Sequence, residues 1–262
     1  LKDLLVAPAD ARIADIYIPK VDYVNVHDKD EDVALLMQKY DLEAIPVVDD
    51  DHILLGRITI DDIVDLIREE AEKDYQMAAG ITEDIDADDS ILDKTKARLP
   101  WLVLGLVGGF AAASIMGGFE DALTQYPELF YFTPLIAAMA GNVGVQSSAI
   151  VVQGLATNNI KGSMWSRMLK EIALSVVNGV VLAILIFLLG SIFQYHSDIS
   201  MTISISLIIV IIIASLIGTF VPLILDKNGI DPAVATGPFI TTSNDIFGIF
   251  IFFFVAKLIL GF

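Results

Sequence analysis

A single carboxylate, Asp245, lies near the middle of a long apolar stretch that reads Gly237-Pro238-Phe239-Ile240-Thr241-Thr242-Ser243-Asn244-Asp245-Ile246-Phe247-Gly248. An ionisable side chain at the centre of a membrane helix costs about 3 kcal/mol even on the lenient insertion scale, so such residues mark ion or proton paths by default. A membrane aspartate can instead be a buried partner to Lys or Arg, but no basic residue falls at mid-span here. Thr241, Thr242 and Gly248 are three to four residues away, on or beside the same helical face. One carboxylate among hydroxyls, amides and backbone carbonyls suits a hard divalent cation. Mg²⁺ in particular keeps several of its waters and is held by one or two carboxylates. Zinc or a softer metal would call for His or Cys. The chain has no Cys, and the one His of its C-terminal half, His196, falls between apolar spans. The backbone-carbonyl potassium filter is also missing.

A second constellation supports the first. In the segment Phe132–Ser148 and just beyond it, Asn142, Gln146 and Gln153 are spaced by four and seven residues, which brings three amides to one helix face. Ala138, Gly141 and Ala149 lie near that face and permit close approach of another helix. Small residues and amides also serve as plain helix-packing contacts. Asn142, Gln146, Thr241, Thr242 and Gly248 are nonetheless the candidate lining of a path centred on Asp245. Five helices and one carboxylate make a thin lining, so the economical arrangement is two chains meeting around the path, each supplying an Asp245.

These residues must be positioned by membrane helices. Five apolar spans are expected, at Trp101–Gly118, Phe130–Ala156, Ile172–Phe193, Met201–Leu225 and Ala233–Leu260, each near or above the length of about 20 residues that crosses a bilayer. Basic residues collect at Arg98, at Lys161, Arg167 and Lys170, and at Lys227, while the other two links carry none. Positive charge marks the cytoplasmic side, which predicts a cytoplasmic N-terminus and an outer C-terminus in a multi-pass protein of the cell membrane. Lys257 is the exception, and near a helix end it can snorkel to the headgroups.

Composition separates this half from the rest. Residues 1–98 carry 11 basic and 26 acidic side chains, whereas residues 99–262 carry 5 and 8. So acidic a front half excludes nucleic acid, which needs a basic footprint, and suits either cations or a solvated surface. No signal peptide precedes the first span, which starts only near Trp101. The chain opens at Leu1 rather than Met, within what reads as a domain, so it is expected to be a piece of a longer protein. The front half predicts a β-α-β-β-α layer. Its elements are a strand over Val21–Val26, an acid-led helix over Asp30–Tyr40, strands over Ala44–Asp49 and Leu54–Thr59, and a helix opened by Asp61-Asp62. The expected organisation is an α/β domain over 1–74, a connecting or plug helix over 75–98, and a five-helix membrane domain over 99–262. On the helix from Asp61, Asp62, Asp65 and Glu69 share one face and Glu70 and Asp74 another, a like-charge spacing that is mildly destabilising without a counterion. Asp84, Asp86, Asp88 and Asp89 are expected to begin a second helix leading to Arg98, and Asp226 and Asp231 fall in an inner link. Divalent ions bridging carboxylates on separate bodies would make a switch; a solvated acidic face has the same spacing.

Two resemblances sharpen this picture. Ile13–Glu70, with Val47-Val48-Asp49 followed by Gly56-Arg57-Ile58-Thr59-Ile60-Asp61-Asp62, resembles a cystathionine-β-synthase-type (CBS) domain. Such domains work in pairs, and Leu1–Ala7 looks like the tail of a first copy. Many members bind adenine nucleotides through a Gly-x-x-Thr-x-x-Asp element, which here implies Thr59 and Asp62. Residues 95–262 resemble the MgtE family, through Arg98-Leu99-Pro100-Trp101-Leu102, Gly141-Asn142-Val143-Gly144-Val145-Gln146-Ser147, Asp231-Pro232 and Thr242-Ser243-Asn244-Asp245-Ile246-Phe247-Gly248. The resemblance implies a homodimer with a magnesium pore at its interface, Asp245 as the pore aspartate, and gating by cytoplasmic Mg²⁺. The best-matched regulatory ligands are Asp49, Asp62, Asp65, Glu70, Asp74 and Asp231. The sequence departs from the family at Ala140, where many relatives have Gly, and at Val145, where some have Asn. Two other functions remain open: a carrier for another divalent cation such as Mn²⁺ or Co²⁺, and an intramembrane aspartyl enzyme whose second carboxylate comes from a partner chain.

Overall fold

The computed structural model describes residues 6–16, 21–83, 85–157 and 163–262. They fall into two compact units that divide between Glu72 and Lys73. The tail assigned to Leu1–Ala7, apart from its last two residues, lies outside the described residues, as do Asp84 and Lys161.

In the first unit a short helix α1 (Ile13–Ile16) precedes β1 (Val24–Asn25), α2 (Asp30–Tyr40), β2 (Ala44–Val48) and β3 (Leu54–Thr59). The strands form one sheet in the order β1-β2-β3, with Val24 beside Val47 in a parallel pairing and Ala44 opposite Thr59 in an antiparallel one. The expected α/β layer is therefore present, although the first strand is shorter than its alternation suggested. Asp30, Glu31 and Asp32 occupy the first turn of α2, where carboxylates complement the positive end of the helix. That helix ends on Asp41 in the left-handed region, φ 51°. Its inner face presents Val33, Ala34 and Met37 to Val24, Ile45 and Ile63, which together form the core of this unit.

Helix α3 (Ile60–Ala78) runs across the division between the units. The segment 75–98 is not one connecting helix, and here the expectation needs correcting. Gly80, at φ +79°, takes the left-handed conformation that stops α3. Ile81 N–H then closes on the Gln76 carbonyl. The Gln76 side chain clamps Ile85, donating to its carbonyl at 3.1 Å and accepting from its N–H at 3.2 Å. Thr82 donates from both backbone and hydroxyl to the Ala97 carbonyl. Asp86, Asp88 and Asp89 precede the next helix rather than starting it, because Ser90 is its cap: the Ser90 hydroxyl accepts from Asp93 N–H and donates to the Asp93 carboxylate at 2.6 Å.

The second unit is built on α4 (Ile91–Gly117), a short α5 (Glu120–Gln125), α6 (Glu128–Ala156), α7 (Met164–Ile192), α8 (Ser197–Lys227), a 3₁₀ turn (Pro232–Ala235) and α9 (Pro238–Leu260). Five of these helices are long and apolar enough to cross a membrane, as the sequence predicts. Helices α4 and α7 start earlier than their apolar runs. Ser163 caps α7 through Ser166 N–H, and α4 carries Arg98 and Pro100 inside one continuous helix. Pro100, Pro134 and Pro222 all lie within helices, which membrane proteins accommodate through neighbouring helices and local backbone adjustment.

Helices α6, α8 and α9 form the centre. Leu129, Ile136 and Ala140 of α6 interlock with Ile203, Leu207, Val210 and Ile211 of α8 and with Ile249, Phe252 and Phe253 of α9. Helix α7 packs on α8, and α4 packs on α9. Leu102, Leu106 and Phe110 of α4 and Ile184, Leu188 and Ile192 of α7 stay exposed. In water such faces would drive association; in a bilayer, hydrocarbon covers them.

Candidate functional site

Asp245 sits two turns into α9, partly buried. It lies directly over Gly141 of α6. A methyl placed at Gly141 would stand 3.5 Å from Asp245 Oδ1 and 3.6 Å from Thr241 Cγ2. Glycine at this point lets α9 bring its carboxylate onto the α6 backbone, the close approach that small residues permit between membrane helices. Beside Gly141 on α6, Asn142 is exposed; the next turn carries Gln146, and Gln153 follows further along the helix. Amides on the outer face of a membrane-length helix would be costly against lipid tails, whereas a wet surface or another chain satisfies them.

The remaining lining candidates divide. Thr241 keeps near Asp245, with its hydroxyl donating to the Gly237 and Pro238 carbonyls at 3.1 Å each. Thr242 turns to the other side of α9, where its methyl fills the space over Gly108 of α4. Gly248 is buried against Ala140 of α6 and Val210 of α8, a packing position.

Hydropathy alone misses one carboxylate, because it leaves Glu171 in a link. The Ser163 cap draws it into the second turn of α7, and there the buried Ser147 hydroxyl donates to Glu171 Oε1 at 2.6 Å. This bond ties α6 to α7, two helices that otherwise scarcely pack on one another. Glu171→Leu is expected to lower the thermal midpoint in detergent, since a buried hydroxyl left without its partner costs about 1–3 kcal/mol. Glu171→Gln, which keeps an acceptor, is expected to leave the midpoint near the parent value.

In the first unit, the acidic candidates Asp49 and Asp62 already have local hydrogen bonds. Asp49 Oδ1 accepts from Asp51 and Ile53 N–H at 3.0 and 2.8 Å, shaping the β2–β3 turn. Asp62 Oδ2 accepts from the Thr59 hydroxyl at 2.6 Å and the Thr59 N–H at 2.8 Å, so the Thr and Asp of the nucleotide element are bonded to each other. Asp65 is exposed, and Glu70 and Asp74 are partly buried further along α3. Arg68 and Glu72 pair across one turn at 2.9 Å. In the second unit Asp231 Oδ1 caps the 3₁₀ turn through Ala233 N–H at 2.8 Å. Among the described residues, no three His, Asp or Glu side chains converge as a preformed metal site.

The Thr59 hydroxyl, then its N–H, hold the Asp62 carboxyl below the usual carboxylate range. A depressed folded-state value means that the contribution is present above the ordinary aspartate range and is lost as pH falls through the lowered value. Hydrogen-exchange protection at the start of α3 is therefore expected to survive mild acid and fade only below pH of about 4. Thr59→Val is expected to move that loss to higher pH.

Fold and site together define a five-helix membrane protein, with a partly buried aspartate on its last helix and an α/β domain ahead of it. Comparison with known proteins shows what the two parts are similar to. Residues 133–255 match the MgtE model, described as a divalent cation transporter, and residues 13–69 match the CBS domain model. By these matches the chain carries an MgtE-type transporter domain behind a CBS domain. It is 38% identical to the "Magnesium transporter MgtE" of Enterococcus faecalis over 98% of its own length and 57% of that protein's. Identity to the protein of the same name from Bacillus subtilis is 36%, over 97% of this chain and 57% of the relative. For the one from Thermus thermophilus it is 33%, over 99% and 58%. The chain therefore spans somewhat more than half the length of these curated relatives, which are named as transporters and not as enzymes.

Proposed function

We propose that this chain is the pore-bearing portion of a homodimeric magnesium transporter. The observation that carries the reading is Asp245, a carboxylate two turns into α9 and laid over Gly141, with the amides Asn142 and Gln146 on the same helix as that glycine. The names of its relatives make Mg²⁺ the cargo of choice. Two copies meeting along the α6 and α9 faces would put two Asp245 carboxylates on one axis, and a hydrated Mg²⁺ would pause between them, held through its waters. Arg98, Arg167, Lys170 and Lys227 at the inner ends of the helices orient the N-terminus to the cytoplasm and the C-terminus outward.

Gating follows from repulsion. Carboxylates on α3, among them Asp62, Asp65, Glu69, Glu70 and Asp74, and carboxylates on other bodies would repel one another at low Mg²⁺, and ions bridging the separate bodies would relieve the repulsion. Asp49 and Asp231 complete the proposed regulatory ligands. Adenine nucleotide, if bound at Thr59 and Asp62, has to compete with the bond these two residues make to each other.

Reconstitution into vesicles with an internal Mg²⁺-sensitive dye tests the reading, with crosslinking to count chains. Mg²⁺ entry from a two-chain species is the expected result. Mn²⁺ or Co²⁺ entry that Mg²⁺ fails to compete would assign another cation, and a clean monomer that still transports would sink the dimeric pore.

A further inference from the structure

Asn244, the immediate neighbour of Asp245, is the most anomalous polar residue of the membrane unit. It is 1% exposed, and neither its Oδ1 nor its Nδ2 has a hydrogen-bond partner among the described residues. Burying an amide without partners is costly, because its hydrogen bonds to water are given up and none replace them. An apolar side chain of similar size would avoid that penalty, so the amide is not at this position for stability, and what it does there is read from the contacts it makes.

The amide head lies on the bare Cα of Gly144 in α6. A methyl at Gly144 would overlap Nδ2 and stand 2.8 Å from Ile240 Cγ2. Behind it, the Gly144 backbone touches Gly218 of α8, where a Cβ would likewise collide with backbone. At the level of Gly144, α6 thus has α8 against its backbone, and α9 is held off by the thickness of one amide. One turn earlier on α6, Gly141 underlies Asp245. Successive residues of a helix point about 100° apart, so a rotation that lifts Asn244 from its seat also carries Asp245 off Gly141.

We propose that Asn244 is a positioning residue: its amide is the spacer between α6 and α9 that fixes the rotation of α9 and hence the direction in which Asp245 faces. This rests on the assignment of Asp245 to the cation path. A residue that costs stability, placed beside a functional carboxylate, fits the trade of stability for function seen where sites are held in strained or unsatisfied states.

The chain has no native cysteine, so Asp245→Cys supplies a unique thiol. Its rate of modification by a cationic methanethiosulfonate, followed by mass in reconstituted vesicles, reports how position 245 faces without requiring transport. Gly144→Ala in this background is expected to slow modification about fivefold or more, because reactive encounter falls steeply with displacements of about 1 Å. Adding Asn244→Ala vacates the space that the new methyl needs and is expected to return the rate to within about twofold, the coupling expected of residues in direct contact.

A folded Gly144→Ala variant with an unchanged rate overturns the proposal. A double variant that stays slow also overturns it, since the amide would then act through its own chemistry and not as a spacer. Should Gly144→Ala give no monodisperse protein, Asn244→Ala alone decides: a rate altered about threefold or more supports the spacer, and an unaltered rate overturns it. Mg²⁺ flux through the parent chain is measured in the same vesicles. A parent that carries no Mg²⁺ removes the assignment of Asp245, while the thiol rates still report the spacing.

Discussion

Asp245→Asn is expected to cut Mg²⁺ flux by about tenfold or more, because a neutral amide is a poor ligand for a hard divalent ion that retains its waters. The substitution keeps the size of the side chain over Gly141 and removes the most expensive charge in the membrane unit. Expression, membrane insertion and two-chain assembly are therefore expected to match the parent or improve on it. Asp198→Asn is the control: Asp198 is exposed in the first turn of α8, at the opposite end of the bundle from the start of α9, and flux should change little. Dye-reported flux with matched protein per vesicle separates the two variants. Parent-like flux in Asp245→Asn would place the path elsewhere.

The second large effect is expected at Gly237, the cap of α9. Its backbone, φ 58° and ψ −126°, belongs to a region that only glycine adopts comfortably. A Cβ there would also collide with the carbonyl of Ala78, at the C-terminal end of α3. Gly80 seats against Pro238 and Trp101 at the same junction. Gly237→Ala therefore combines backbone strain with displacement of α3 from the start of α9, a loss of roughly 3 kcal/mol or more. Gly229→Ala isolates the first component: Gly229 has φ +70° and nothing within 4 Å, so it should cost only about 1 kcal/mol. Thermal midpoints in detergent give the difference. Trypsin cleavage at Lys73 and Lys94, which flank the junction, should quicken in Gly237→Ala alone. Equal behaviour of the two variants would mean that the α3 end does not bear on α9.

Much of the molecule is legible in its residue order alone. Apolar runs of membrane length and the abrupt change of charge near Leu99 are properties of composition, so they yield five spans and an acidic front domain directly. Helix α2 and strand β3 have the bounds predicted from their patterns, because acid-led amphipathy and alternation are local signals. Asp245 is legible for the same reason: a lone carboxylate in apolar surroundings needs no neighbour to stand out.

Other features depend on contacts that hydropathy does not encode. Hydropathy marks where a helix enters lipid and not where it begins, so the Ser90 and Ser163 caps lengthen α4 and α7 beyond their apolar cores and bring Glu171 into a helix. The plug segment reads as helical from its carboxylates, but Gly80 and the Gln76 clamp on Ile85 break it. Helical periodicity places Thr242, Asn244, Asp245 and Gly248 around α9 without saying what each direction meets. Tertiary structure sends Thr242 to Gly108, Asn244 to Gly144, Asp245 to Gly141 and Gly248 to Ala140. Sequence thus determined the membrane class and the carboxylate, whereas the crossing of three backbones at glycines decided which polar groups are buried in packing and which stay partly exposed.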